Sequence, residues 1–113
     1  MTLPNADAAI VPKEKLVGYL LSSAHNTGRA KAAFLRRFGF VPDAWEVLAS
    51  ALRQHAEAHD VASAESTVFG TRYTIEGELL SPDGRDPWMR TVWFVEEGAT
   101  APRLVTAYPT TRR

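Results

Sequence analysis

The sequence predicts an α+β fold, in which about three N-terminal helices pack on a C-terminal antiparallel β-meander of three to four strands. Apolar residues recur at helical spacing over residues 13–60, whereas over residues 66–109 they alternate with polar residues at a period of two. The 113 residues match the usual length of one domain, so residues 1–113 are predicted to form a single domain.

Local signals predict where the helices begin and end. Pro12 suits the first turn of a helix, and Gly39 is a natural C-terminal stop. Asn26 or Thr27 is the expected cap of the second helix, and the spacing Asp43-x-x-Glu46 fits a capping box for the third. The expected helices are residues 13–21, residues 27 or 28 to 38, and residues 43 to about 59. In the first of them, the apolar face is Leu16, Tyr19 and Leu20.

The second half of the chain is predicted to form strands over residues 66–80, 88–96 and 103–108. Pro82-Asp83-Gly84 is a turn signal between the first two, because Pro fixes φ and Gly accepts a positive φ. Pro109 ends the last strand. Residues 1–12 are expected to be an irregular lead-in, although residues 8–11 are apolar enough to add a fourth strand.

Composition excludes several classes of protein. There is no Cys, so a disulfide scaffold and a cysteine-based zinc module are excluded. No apolar run approaches about 18 residues, and no signal peptide is apparent, so a cytoplasmic location without membrane contact is expected. Thirteen Lys and Arg balance thirteen Asp and Glu. Any nucleic-acid binding must therefore come from a local basic patch.

The segment around the start of the second helix is the first candidate site. His25 precedes the predicted helix, and Arg29 and Lys31 lie in its first turns. A His close to cationic side chains at a helix N-terminus can bind an anion and exchange a proton near neutral pH. The alternative is a loop His that bonds to a nearby backbone group.

The strands supply a second set of candidates. Arg72, Arg90 and Arg103 fall one on each strand, with Arg72 and Arg90 expected opposite each other, and Arg suits bidentate phosphate binding. The alternative is an exposed face whose Arg residues pair with Glu. Thr106 and Tyr108 on the last strand carry hydroxyl groups that can position a phosphate oxygen.

The sequence gives little support for metal-dependent, phosphate-loop or nucleophilic chemistry. His55 and His59 stand at i, i+4, but without a carboxylate to complete a metal motif they are expected to be partly exposed helix residues. No phosphate-binding Gly loop, nucleophile elbow or acidic metal cluster is present in the sequence. We therefore expect neither a metal nor a cofactor.

Motifs over nearly the whole chain resemble those of a family of small bacterial proteins known as a domain of unknown function. The motifs are Lys15-Leu16, Tyr19-Leu20-Leu21, His25-x-x-Gly28-x-x-Lys31-Ala32, Phe69-Gly70-Thr71-Arg72-Tyr73 and Arg103-Leu104-Val105-Thr106-Ala107-Tyr108-Pro109.

Helices followed by a meander, the His25/Lys31 pair and the Thr106-x-Tyr108-Pro109 ending also resemble the barnase–EndoU–colicin–RelE group of metal-independent ribonucleases, many of them toxins. This resemblance implies cleavage of RNA by attack of the 2′-hydroxyl on the adjacent phosphate. His25 would transfer a proton, Lys31 would stabilise the phosphorane, and Thr106 and Tyr108 would position the phosphate. Arg29, Arg72, Arg90 and Arg103 would bind the RNA. A cognate protein inhibitor is the expected partner.

Two other functions remain open from the sequence. The neutral charge also fits a non-catalytic module that binds protein, such as the inhibitor half of a toxin–antitoxin-type pair. A small-ligand domain could instead build an aromatic pocket from Tyr73, Trp93 and Tyr108. Convergence of His25, Lys31 and the strand residues on one cleft would favour the ribonuclease.

Overall fold

A computed structural model describes residues 1–22 and 29–111 and confirms the α+β class. The helices are α1 (Lys13–Lys15), which continues as a π-helical turn (Leu16–Leu20), α2 (Arg29–Arg37) and α3 (Trp45–Ala58), with 3₁₀ turns at Ala6–Ala8 and Pro42–Ala44. The strands are β1 (Val61–Thr67), β2 (Gly70–Glu78), β3 (Trp88–Glu96) and β4 (Arg103–Pro109). No helix in the described part of the chain is long and apolar enough to span a membrane.

The sheet is an antiparallel meander in the order β1-β2-β3-β4. Its fourth strand differs from the one expected at residues 8–11, where Ile10 forms only an isolated parallel bridge with Arg103. The expected strand over residues 66–80 is interrupted after Thr67, because the chain turns at Val68 and Phe69 to separate β1 from β2. β1 was missed because its side chains are exposed on both faces, so its sequence carries no apolar alternation.

The predicted first helix becomes a wider turn after Lys15. The Leu21 N–H donates to the carbonyl of Leu16 at 2.7 Å, five residues back, as in a π-helix. The wider turn places residues i, i+4 and i+5 on one side, so Leu16, Leu20 and Leu21 are all fully buried. Tyr19 is half-buried and also packs against the core, as predicted for the apolar face.

Helix ends follow the sequence signals in one case and depart from them in another. Gly39 ends α2 as predicted, with a φ of 99°, while its N–H donates to Arg36 O and that of Phe40 donates to Leu35 O. The capping box at Asp43 is wrong, because the 3₁₀ turn moves the start of α3 to Trp45 and leaves Ala44 at the cap without a side-chain bond. The proposed caps of α2 at residues 26 and 27 lie outside the described residues.

One face of the sheet packs against α3 and forms the core. Leu48 and Leu52 of α3 are at most 1% exposed, as are Ile75, Trp93 and Leu104 from three strands. Burial of such apolar side chains is the main favourable contribution to folding, at roughly 1.5–3 kcal/mol each. The core therefore fixes which side chains of each strand point towards the helix.

A chain of hydrogen bonds crosses this core. The indole N–H of Trp93 donates to Thr91 Oγ1 at 2.9 Å, and that hydroxyl lies 3.0 Å from His55 Nδ1. His55 Nε2 lies 3.1 Å from Gly77 O and 3.2 Å from Met89 O, so the ring carries its proton on Nε2 and is neutral. The expectation of a partly exposed His55 is wrong, because α3 buries it completely against β2 and β3. Burial, and secondarily the charge of His59, lowers the pKa of His55 to about 4.

We expect the free energy of unfolding to fall as the pH drops from about 6.5 to about 4. In this range the unfolded chain binds a proton at His55 that the folded protein does not, so the loss reaches about 3 kcal/mol at the lower limit. Asp83 also has a lowered pKa, chiefly from the Arg85 backbone N–H, but its contribution is lost only below its ordinary value of 3.8. Urea unfolding between pH 4 and 7, with an NMR titration of His55, checks this. A His55 midpoint near 6.5 would contradict it.

Candidate functional site

The sheet face opposite α3, here called the outer face, carries the polar side chains of the meander. Its residues alternate with those of the core along β2, β3 and β4. The strand register aligns them in three rows: Arg72, Phe94 and Arg103; Thr74, Val92 and Thr106; and Glu76, Arg90 and Tyr108. The three strand arginines among the four predicted RNA ligands thus lie on one face. The expected opposition of Arg72 and Arg90 is wrong, because the β2–β3 hairpin is symmetric about Asp83, which sets Phe94 opposite Arg72 and Glu76 opposite Arg90.

Lys31 of α2 reaches the outer face at the edge strand β4. Its ammonium group donates to the hydroxyl of Tyr19 at 2.5 Å and to that of Thr106 at 3.1 Å. The same nitrogen lies 4.8 Å from the ring centre of Tyr19 and 5.7 Å from that of Tyr108. The π-helical turn, α2 and β4 therefore hold one cation among two hydroxyl groups and two aromatic rings.

Tyr108 links this cation to a second one. Arg90 Nη1 donates to the Tyr108 hydroxyl at 3.1 Å, while Arg90 Nε and Nη2 donate to Glu76 Oε2 at 2.9 and 2.5 Å. These bonds raise the pKa of Arg90 above its ordinary value, Tyr108 contributing more than Glu76. Glu76 thus orients the guanidinium, and Arg90 in turn orients the phenol.

These contacts form one wall of an open cleft of about 660 Å³. Val105, Thr106 and Tyr108 line it from β4, and Tyr19 and Lys31 line it from the helices. The remaining lining residues are Pro12, Glu14, Lys15 and Gly18. The space exceeds that of a single phosphate group and is open to solvent, so an extended polar ligand could enter it.

Charge on the cleft is only partly neutralised. Glu14 and the cations Lys15 and Lys31 line the cleft, but Lys31 forms no ion pair with Glu14 or any other carboxylate among residues 1–22 and 29–111. Its two hydroxyl partners are uncharged, and an ammonium group has three donors. Within the described residues, one donor and a full positive charge remain available to an anion.

The structure brings together three of the four residues predicted to be catalytic, namely Lys31, Thr106 and Tyr108. The fourth, His25, lies outside the described residues. Of the predicted RNA ligands, Arg90 joins this cluster, while Arg29, Arg72 and Arg103 are exposed.

An aromatic pocket of Tyr73, Trp93 and Tyr108 is not present. Trp93 is fully buried, and alternation along the strands places Tyr73 on the core face and Tyr108 on the outer face. Sequence reasoning also missed two members of the cluster. Tyr19 packs against the core as its place on the apolar helix face predicted, but its hydroxyl also reaches the cleft. Glu76 became recognisable as the partner of Arg90 only once the strand register was known.

The neighbouring pair His55 and His59 does not join the cleft. His59 Nε2 lies 3.0 Å from Glu78 O, and the two rings meet edge to face at 4.9 Å. The described residues contain no group of three His, Asp or Glu side chains placed to hold a metal ion.

The protein is therefore an α+β domain with a four-stranded meander and a cationic, hydroxyl-lined cleft beside its last strand. Residues 2–111 match the family described as "Domain of unknown function (DUF6883)", and the chain belongs to that family. A solved structure with a similar fold is a chain of the "Contact-dependent growth inhibition toxin - immunity protein complex from Klebsiella pneumoniae 342". The TM-score is 0.74 at 16% sequence identity, over 95% of this chain and 97% of that chain. No curated protein sequence matches the chain.

We expect phosphate to stabilise the protein through Lys31. At a phosphate concentration about tenfold above its Kd, the gain in unfolding free energy is about 1.4 kcal/mol, or several degrees in Tm. The measurement is thermal unfolding in phosphate against chloride at equal ionic strength. The shift should disappear in Lys31→Met and persist in the control Lys13→Met, since the Lys13 ammonium lies over Trp45 instead. Equal shifts in both variants would contradict a site at Lys31.

Proposed function

We propose that the cleft binds an RNA phosphate and that the protein is a metal-independent ribonuclease of the toxin-like kind. The observation that carries the proposal is the Lys31 ammonium held by the hydroxyls of Tyr19 and Thr106 with no carboxylate partner among the described residues. A half-buried cation in this setting favours an anionic ligand, because the ligand supplies the missing countercharge. The chain's resemblance to metal-independent ribonucleases makes RNA the ligand of choice.

The reaction consists of an internal transfer at phosphorus. The ribose 2′-oxygen bonds to the adjacent phosphorus and gives its proton to a base, while the bond from phosphorus to the 5′-oxygen breaks and that oxygen takes up a proton. The products are a 2′,3′-cyclic phosphate and a free 5′-hydroxyl. We assign one or both proton transfers to His25, on the basis of the sequence alone.

The cluster on the outer face supplies the electrostatic part of this reaction. The phosphorane carries more negative charge than the phosphate it replaces, so a fixed cation stabilises it more strongly than the bound substrate. Lys31 would lie against its equatorial oxygens, and Thr106 would fix the position of Lys31. Tyr108, held by Arg90, would position the phosphate. Little reorganisation is needed, because the side chains already bond to one another.

A protein inhibitor is the proposed partner. The structural neighbour belongs to a complex of a growth-inhibition toxin with its immunity protein, which supports a cognate partner for a domain of this fold. Two apolar side chains at the turn between β1 and β2 are exposed, Val68 at 84% and Phe69 at 77%. This turn also favours the second candidate function, a non-catalytic module that binds protein through such a surface.

The test of the ribonuclease is cleavage of tRNA and total RNA in EDTA, with analysis of the product ends. We expect wild type to leave 2′,3′-cyclic phosphate ends. The variant His25→Ala should be slower by about 10²–10⁴-fold, and Lys31→Met by about 10²–10³-fold. Lys13→Met serves as a matched control and should cleave at the wild-type rate. A folded wild type that leaves RNA intact would overturn the proposal, and so would an unchanged rate in Lys31→Met.

The protein-binding module makes a different prediction. In that case a purified product of the adjacent gene should bind in calorimetry whether or not Lys31 is changed, and the variant Phe69→Ser should weaken binding by about tenfold or more, since one exposed aromatic residue is lost from the interface. Binding without any RNA cleavage would establish this second function. If the purified product does not bind and the wild type cleaves RNA, the second function is contradicted.

A further inference from the structure

A second concave surface lies on the outer face, beside the row of Arg72, Phe94 and Arg103, at the end of the strands opposite the row that contains Glu76. It encloses about 400 Å³ between Phe94 of β3, Arg103 of β4 and the β3–β4 connection at residues 98–101. Ile10 and Glu96 complete its wall. It is distinct from the Lys31 cleft, since the two share no lining residue.

An aromatic ring flanked by two arginines marks this surface. The register sets Phe94 directly between Arg72 of β2 and Arg103 of β4. Phe94 is half-buried and both arginines are exposed. In contrast to Arg90, neither Arg72 nor Arg103 forms an ion pair within residues 1–22 and 29–111. The row therefore offers a π-surface for stacking and two guanidinium groups for phosphates.

The Phe94 ring also packs over a glycine of the neighbouring strand β2. A Cβ placed on Gly70, whose φ is 147°, would come within 2.9 Å of the Phe94 ring, so the ring covers this glycine on the neighbouring strand. The contact holds the ring in place on one side. The concave surface, which the ring also lines, is on the side of β4.

We infer that this surface binds an unpaired nucleobase of a single-stranded RNA whose neighbouring phosphate lies at Lys31. The inference rests on the proposed function and names its substrate class. Residues 92 and 94 are about 7 Å apart along β3, and a bulge on β4 between Thr106 and Arg103 lengthens the step there to about 10 Å. This step suits a base and the phosphate of an adjacent nucleotide.

Single-stranded RNA fits better than a duplex for a physical reason. In a duplex both faces of each base are stacked within the helix, so no face is free for Phe94, whereas unpaired bases stack on aromatic side chains of sheet surfaces. Glu96 adds a carboxylate beside the ring, which can accept a hydrogen bond from an N–H group on the base edge but would repel a phosphate. The surface is thus suited to a base, with Arg72 and Arg103 at its sides for the backbone.

The test is binding of a 12-nucleotide 2′-O-methyl RNA by fluorescence anisotropy, because the methyl group prevents attack by the 2′-oxygen. We expect Phe94→Leu to weaken binding of the single strand by about tenfold, with no comparable effect on a duplex of the same sequence. Leu80→Ala, just beyond the opposite end of β2, removes an exposed apolar side chain far from Phe94, so it is the control and should bind as wild type. Arg103→Met should reduce the slope of log Kd against log salt by about one.

The outcomes separate this inference from the proposed function. Thermal unfolding of Phe94→Leu first verifies that the variant is folded, since Leu still covers Gly70. Wild-type affinity of a folded Phe94→Leu for the single strand, or an equal loss for strand and duplex, overturns the base subsite even if natural RNA is cleaved. Binding that depends on Phe94, with no cleavage of natural RNA, supports the subsite and overturns the ribonuclease.

Discussion

The alternation of side chains along β3 is the constraint on which the rest of the structure depends. Thr91 and Trp93 point into the core, where the hydroxyl of Thr91 joins the indole to His55. Arg90 and Phe94 must then point to the outer face. A slip of one residue would bury a guanidinium and expose the indole, at a cost of several kcal/mol from burial of the charge alone. The core bonds thereby also determine the register of the outer face.

The neutral composition of the chain conceals how unevenly its charges are used. Arg90 is neutralised by Glu76, so it adds little net charge to the outer face, and its contact with the Tyr108 hydroxyl orients that side chain. Arg85 pairs with Asp83 and stacks on Phe38, which joins the β2–β3 turn to the end of α2. Lys31, Arg72 and Arg103 are left without ion pairs among the described residues. A local excess of positive charge on the outer face is therefore compatible with equal numbers of acidic and basic residues.

Sequence reasoning succeeded where periodicity reports burial and failed where it does not. The end of α2 at Gly39 was predicted because this position needs a positive φ. The strand β3 was predicted because one of its faces packs against the core. β1 was missed because most of its side chains are exposed, and the cleft role of Tyr19 was missed because an apolar-face pattern does not show where the hydroxyl points. Lys31, Thr106 and Tyr108 were grouped through the resemblance, since no local signal joins residues 75 positions apart. Their contact requires the long-range packing of α2 beside β4.

The surroundings of Lys31 are poorly explained by stability alone. Two hydroxyl groups and the faces of two aromatic rings surround its ammonium group and stabilise it, but none of them carries a full negative charge. An apolar side chain such as Met would fill the space between the rings of Tyr19 and Tyr108 without any charge to compensate. The described part of the chain thus holds this cation without an ion pair. Under the proposed function, an anion in the cleft would supply this countercharge, and the cluster would serve as a binding site.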